Sequence, residues 1–347
     1  MWLENPVFRE DMEYIASVDF IPWEKLQNKT LFITGATGLI GFNIVSALAY
    51  MSLKKGLSLK IIALVRDEEK AKGRFAEVIS EGVPLQFVAG NLEHIPDIDE
   101  EIDLIIHGGS PTASRYFAEH PVETIKMNLA GATTLLEIAR KKHVESFLFL
   151  SSMEVYGGLH KEEIVKEDHE SFVDTMKTRS SYPEVKRMIE TMCSAYFGQY
   201  NIPAKVIRLT QTFGAGVRKD DNRVYAQFMR SAMIKENIIL RTDGGTKHSY
   251  LYTADAVTAI LTVLLKGKNG EAYNAANEES YSSIRQMGEM VAKLAGVNVI
   301  VRKSEESSKL YPPESYMNLS TDKLKYLSWL PKTNLQEMFE KMEKTLC

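Results

Sequence analysis

The sequence predicts an α/β protein: a doubly wound parallel sheet of Rossmann type with a smaller C-terminal α/β lobe. Three observations predict it. Strand-like apolar runs recur at Thr30 to Thr34, Lys60 to Val65, Gln86 to Ala89, Asp103 to His107, Ser146 to Ser151 and Lys205 to Leu209, with helical patterns between them. Such alternation is how parallel strands and their crossover helices read in a sequence. The first run meets three glycines at three-residue spacing, in Thr34-Gly35-Ala36-Thr37-Gly38-Leu39-Ile40-Gly41, as a helical pattern begins. After Leu209 the texture changes to polar loops at Gly214 to Asn222, Thr242 to His248 and Lys266 to Gly270, with a proline-containing stretch from Ser304 to Tyr316.

Taken in order, residues 1–28 form an amphipathic extension before the first strand. It carries Glu4, Arg9, Glu10, Asp11, Glu13 and Asp19, so it lacks the apolar core of a signal peptide. Residues 29–209 are expected to be the dinucleotide-binding domain. Residues 210–347 are expected to form most of a substrate lobe, with about 250–276 returning to the first domain.

The glycine turn reads as a dinucleotide phosphate cradle. Gly35 allows a tight turn, Gly38 lets backbone amides approach a pyrophosphate, and Gly41 permits close packing of helix on strand. Ala36, Thr37, Leu39 and Ile40 complete the loop at the helix N-terminus, where unpaired amides and the macrodipole favour an anion. With 21 Gly in 347 residues, this spacing arises by accident about 0.08 times in such a chain.

Composition excludes several alternatives. The net charge is -4 and no basic run is interleaved with aromatics, which argues against nucleic acid. Cys193 and Cys347 are the only cysteines, too few for a disulfide framework or a zinc site, so no metal is expected. No stretch approaches the length of a membrane span, and the cytoplasm is the expected location.

At the cofactor end, the second strand runs into Arg66 and then Asp67. An acid there binds the ribose hydroxyls of NAD, whereas Arg accommodates the 2'-phosphate of NADP. The pair leaves both cofactors open, with Arg66, first after the strand, favouring NADP. A surface ion pair of Arg66 with Asp67 or Glu68 is the alternative. Asn91 and Leu92 follow the third strand, and Gly108, Gly109 and Ser110 follow the fourth, at strand ends where open α/β sheets place ligands. His107 reads as packing at its strand end.

At the chemical end, Tyr182-Pro183-Glu184-Val185-Lys186 puts a phenol and an ammonium on one face of a helix. Alone the pair is weak: about 15 × 42/347, or roughly 1.8, such pairs arise by chance. Ser152, Glu154 and Tyr156, after the fifth strand, strengthen it. A phenol has a pKa of about 10, which a nearby cation lowers by roughly 1 to 3 units. Lys186, helped by an oxidised nicotinamide, is expected to supply that field, so that Tyr182 takes the proton of a substrate alcohol as hydride leaves its carbon, with Ser152 bonded to the same oxygen.

These residues resemble the extended short-chain dehydrogenase/reductase family, whose members modify nucleotide sugars. The resemblance runs from Lys29 onward. It covers the glycine turn, Ser152, Tyr182 and Lys186, the helix carrying Asn128 and Gly131, Arg208 to Gly214, Asp221 to Val224, Tyr252 to Asp255, and Leu319 to Lys323 with Trp329-Leu330-Pro331. Ser152 to Gly157, Ser110-Pro111 and Asp221 to Val224 are most similar to UDP-glucuronate decarboxylases. The 4,6-dehydratases place Asp then Glu after the catalytic hydroxyl. Here Met153 stands first and cannot protonate a leaving hydroxide. Glu154 remains for proton handling or sugar orientation.

The resemblance implies a nucleotide-sugar substrate held by Ser110, Arg115, Asn128, Gln211, Arg223 and His248. Gln211 stands where the family has Asn, and His248, beside Lys247, where it has Arg. The resemblance also implies a homodimer paired through the Tyr/Lys helix and the helix of Pro121 to Lys142. The expected activity is oxidation of the sugar at C4, then decarboxylation or epimerisation and re-reduction. A net NADPH-dependent reductase of a keto sugar or related carbonyl, and a non-catalytic cofactor sensor, are the alternatives.

Overall fold

A computed structural model describes residues 4–111, 114–303 and 313–346. Most of the proline-containing stretch expected from Ser304 lies outside the described residues, as does the side chain of Arg115. The strands are β1 (Thr30–Thr34), β2 (Lys60–Val65), β3 (Leu85–Ala89), β4 (Leu104–His107), β5 (Ser146–Ser152), β6 (Ile164–Val165), β7 (Ala204–Leu209), β8 (Gln211–Phe213), β9 (Ile238–Leu240), β10 (Lys247–Tyr252), β11 (Ala272–Ala275), β12 (Asn277–Ser283), β13 (Val299–Val301) and β14 (Tyr316–Leu319). Among the described residues, β3-β2-β1-β4-β5-β7-β11 form a seven-stranded parallel sheet. Its strand order reverses between β1 and β4, which opens a crevice at their C-terminal ends. Leu31, Phe32, Ile33, Ile105, Ile106, Phe147 and Leu148 are wholly buried, as strands covered by helices on both faces must be.

The helices on the side of this sheet are α1 (Pro6–Ser17), α2 (Leu39–Lys55), α3 (Glu68–Arg74), α4 (Ala76–Ser80), α5 (Ser114–Glu119), α6 (Pro121–Lys142), α7 (Ser181–Tyr200) and α9 (Thr253–Lys266), while α8 (Val224–Met233) packs on β9. Their ends follow backbone chemistry. α2 stops at Gly56 (φ 64°), and α7 stops at Asn201 (φ 56°), whose short polar side chain tolerates that conformation. α9 is buried along its whole length, and β11 adds to the edge of the main sheet beside β7. The smaller sheet runs β12-β10-β14-β6, with β8 paired to β10.

The N-terminal extension is a structural tie. The Asn5 side chain caps α1, which buries Val7, Phe8, Met12 and Ile15 against α2 and α9. The Asp11 carboxylate, 1 % exposed, accepts from the Tyr252 hydroxyl (2.6 Å) and from Lys341 (2.9 Å) on the helix Leu335–Glu343. Burial pushes this carboxyl up to about 6 against the pull of Lys341. Tyr14 donates to Asp255 (2.8 Å), which also accepts the amides of Lys332 and Thr333. Helix α1 therefore joins the cofactor side of the sheet to the C-terminal helix. Removing one partner of a buried pair strands the other, so Asp11→Ala is expected to cost about 2 to 4 kcal/mol. Urea unfolding followed by tryptophan fluorescence measures this, and a loss below about 0.5 kcal/mol, the scatter of ordinary surface changes, would contradict the tie.

Candidate active site

The turn after β1 is shaped by backbone contact. Gly35 has φ 77°, and a Cβ there would lie 2.6 Å from the Gly108 carbonyl oxygen. A Cβ on Gly41 would lie 2.2 Å from the Gly35 oxygen. No side chain caps α2 at Gly38, so its first amides face the crevice. Ala36 is buried, Thr37 is exposed, and Leu39 and Ile40 are half-buried. This bare, cationic-end cradle fits a dinucleotide pyrophosphate.

Thr34, at the end of β1, fixes the opposite wall. Its hydroxyl accepts the Gly109 amide (3.0 Å) and meets Nδ1 of His107 at 2.8 Å. Burial, aided by Lys186, pushes His107 down to about 3, which keeps it neutral. Leu92 packs over Gly109 and Gly131, whose added Cβ atoms would both meet it at 3.0 Å. The Asn91 side chain closes a turn by accepting the amides of Glu93 (2.9 Å) and His94 (3.0 Å). Arg66 is exposed, and among the described residues no carboxylate pairs with it, since Asp67 and Glu68 are taken by Lys70 and Lys72.

The chemical groups converge from four elements. Ser152 ends β5, and its Oγ accepts the Glu154 amide (3.2 Å) at the start of a 3-10 turn, Met153–Tyr156. Tyr182, 6 % exposed, lies in the first turn of α7, its ring stacked on Phe117 of α5 at 4.2 Å and 8°. On Phe117 the Arg179 guanidinium also lies, 4.9 Å from the ring centre. Nη2 of Arg179 is 3.0 and 2.8 Å from the two Glu154 carboxylate oxygens. Lys186 is buried, donates to the Leu150 carbonyl (2.9 Å), and sits 5.6 Å from the Tyr182 ring centre.

Electrostatics correct one expectation. Tyr182 is not lowered by Lys186: burial, then the Glu154 charge, raises the phenol, while Ser152, Arg179 and Arg223 pull it back. Lys186 is itself so desolvated that burial brings its ammonium down to about 7, against the pull of Glu190. Glu190, four residues along α7, accepts from Ser151 (2.5 Å) and Arg208 (2.7 Å) and so ties the helix to β5 and β7.

Of the residues expected to hold a substrate, Arg223 stands at the N-cap position of α8 next to its partner Asp221 and lies over the Tyr225 ring. Gln211 opens β8, and His248 on β10 meets Ser315 Oγ at 3.3 Å. Burial takes His248 down to about 4, so it is uncharged at neutral pH. Asn128 is buried on α6, donates to Thr124 (2.7 Å), and among the described residues has no partner for its oxygen. The Ser110 hydroxyl donates to the carbonyl of Pro111 (3.1 Å). Sequence reasoning missed Arg179, Phe117 and Glu190. Only Glu190 had a readable signal, its spacing of four from Lys186.

A Rossmann sheet carrying a serine, tyrosine and lysine at one crevice, with a second lobe over it, defines an extended short-chain dehydrogenase/reductase. The chain belongs to the NAD dependent epimerase/dehydratase family, whose sequence model matches residues 31–276. It is 28% identical over 247 residues to UDP-glucuronic acid decarboxylase 3 of Arabidopsis thaliana, covering 70% of each chain. It is 24% identical to dTDP-D-glucose 4,6-dehydratase of Homo sapiens, covering 90% of this chain and 88% of that one. Among solved structures, the epimerase Mth375 of Methanothermobacter thermautotrophicus superposes with a TM-score of 0.76 at 21% identity, over 97% of this chain and 95% of that one. UDP-glucuronic acid 4-epimerase from Bacillus cereus, in complex with UDP-glucuronic acid and NAD, superposes with a TM-score of 0.75 at 20% identity, over 91% and 98%. Among the described residues no helix is long and apolar enough to cross a membrane.

Because the Gly41 Cβ has nowhere to go, Gly41→Ala is expected to displace the turn at a cost of about 1 to 3 kcal/mol. Dinucleotide Kd, measured by calorimetry, should weaken about tenfold or more. An unchanged Kd for both NAD and NADP would show that the turn does not hold the cofactor.

Proposed function

We propose that the protein oxidises a nucleotide-linked sugar at C4, carries the 4-keto sugar through decarboxylation or epimerisation, and re-reduces it. The observation that carries this reading is the convergence of Ser152, Glu154, Tyr182 and Lys186 beside the glycine cradle. A bound nicotinamide dinucleotide supplies the hydride acceptor and later the donor. In the oxidation half, the Tyr182 phenolate takes the O4 proton as the C4–H hydride leaves. In the reduction half, the neutral phenol returns a proton to the carbonyl oxygen, and its raised pKa keeps it protonated for that step. Ser152 holds the same oxygen. Arg223, Gln211, His248 and Asn128 are the chain's candidates for binding the nucleotide and sugar, with Ser110 and Arg115 at the loop after β4.

Arg66 favours a second reading, a net reductase that consumes NADPH, because it stands without a carboxylate partner where a 2'-phosphate would arrive. The sensor alternative loses its ground, since the relatives are enzymes and the Ser/Tyr/Lys set is whole. We expect turnover of at least one member of a panel of UDP-, dTDP-, CDP- and GDP-sugars that includes UDP-glucuronate, and about 100-fold or greater loss in Tyr182→Phe. Reduced cofactor should not accumulate with a redox-neutral enzyme, whereas stoichiometric NADPH consumption with a keto sugar would establish the reductase. No turnover of any sugar, or an unaffected Tyr182→Phe, would refute both readings.

The homodimer is also a proposal. Val122 and Ile125 on α6 and Met188 on α7 are 55%, 40% and 52% exposed, an apolar face that a second copy would cover. Light scattering should give twice the chain mass, and Met188→Glu should release monomer. A wild-type monomer at micromolar concentration would exclude this pairing.

A further inference from the structure

Arg179 lies at the centre of the site without touching the glycine cradle. It stands in the 3-10 turn Thr178–Ser180 that leads into α7, three residues before Tyr182. Its guanidinium has two contacts, one with each side of the chemistry. Through Nη2 it spans both oxygens of Glu154, at 3.0 and 2.8 Å. Its plane lies against Phe117, 4.9 Å from the ring centre, and Phe117 in turn stacks on the Tyr182 ring at 4.2 Å. Phe117 is 1% exposed, so it is held firmly between them. The turn after β5, α5 and the start of α7 are each within reach of this one side chain, through Glu154, Phe117 and the stack of Phe117 on Tyr182.

Guanidinium chemistry suits that position. Its planar, delocalised cation stacks on an aromatic face while its in-plane N–H groups bind a carboxylate, a combination that a lysine ammonium does not reproduce. Glu154 would otherwise place a bare negative charge beside a phenol that must itself become negative. Arg179 cancels it.

Resting on the function proposed above, we propose that Arg179 is a positioning residue: it fixes the Glu154 carboxylate and the Phe117–Tyr182 stack in a single arrangement and offsets the Glu154 charge at the phenol. The charged or titratable groups facing Tyr182 are then Glu154 after β5, Arg179 before α7, Lys186 on α7 and Arg223 at the start of α8, with neutral His107 behind Lys186. Loss of Arg179 leaves Glu154 unopposed and removes a cation that favours the phenolate. Both effects raise the pH at which Tyr182 ionises.

Two readouts test this. The first needs no substrate: the near-ultraviolet phenolate band of the holoprotein, titrated with alkali and taken as the difference from Tyr182→Phe in the same background. In Arg179→Met the Tyr182 midpoint should move up by about one pH unit, and in Arg179→Lys it should stay near wild type because the charge remains. The second is turnover of whichever nucleotide sugar the wild type accepts. In Arg179→Lys, kcat should fall about tenfold to a hundredfold with KM for the sugar little changed, because a displaced carboxylate and ring spoil geometry rather than binding. Added guanidinium ion should recover part of the activity lost in Arg179→Ala. An unmoved Tyr182 midpoint in Arg179→Met overturns the proposal, and so does a wild-type kcat in Arg179→Lys. Should Arg179→Met fail to fold, the Arg179→Lys kcat and KM decide alone. If the wild type accepts no sugar, the function reading fails by itself, and the phenol titration still tests Arg179.

Discussion

Everything at this site depends on three backbones touching where side chains are forbidden. The Gly35 oxygen fills the space a Gly41 Cβ would need, and Gly35 in turn leaves room only for the bare backbone of Gly108 and Gly109. That contact locks the start of α2 to β1 and to the end of β4, and Thr34 completes it by bonding the Gly109 amide. Once these strand ends are fixed, the crevice at the reversal of strand order has a set width. The start of α2, which no side chain caps, stands at that contact.

The second layer of the account is charge held out of water. Tyr182 and Lys186 are both buried, and burial opposes ionisation of each. Their neighbours partly correct this: Glu190 supports the ammonium, while Arg179 and Arg223 support the phenolate. The site therefore reads as a set of matched pairs, Arg179 with Glu154 and Arg223 with Asp221, arranged about one phenol. A phenol whose pKa is raised stays protonated and so has a proton at hand, and it becomes a base only when added positive charge lowers that pKa. Such a group suits a reaction that runs in both directions at one carbon.

Much of the fold was legible because its signals are local. Six apolar runs gave six strands of the main sheet within a residue or so, while β11 was not named as a strand, Ala272–Ala275 being short and mild, although its segment, within about 250–276, was expected to return to this domain. The glycine spacing and the Tyr182/Lys186 offset were readable because turn and helix geometry fix neighbours in sequence. The role of Phe117 was not, since its stack on Tyr182 joins residues 65 positions apart through a short helix with no period of its own. Arg179 sits three positions from Tyr182, yet its direction is set by Glu154 and Phe117, neither of them near in sequence. Without a nicotinamide, burial of the phenol outweighs any help from Lys186: distance along the helix was visible in the sequence, and burial was not. The extension before β1 was legible only as an amphipathic segment, and the tie made by Asp11 was not. Its partners, Tyr252 and Lys341, lie more than two hundred residues away.

The central claim is that the glycine contact sets where a nicotinamide ring must lie relative to Tyr182. The crystal structure of the protein soaked with dinucleotide measures this directly. The account predicts the pyrophosphate on the amides that follow Gly38. It places the ring so that one substrate carbon–oxygen unit can bridge the ring and the Tyr182 hydroxyl, with reacting atoms about 3 to 3.5 Å apart. A ring lying away from Tyr182, or a turn that holds no dinucleotide, would contradict it.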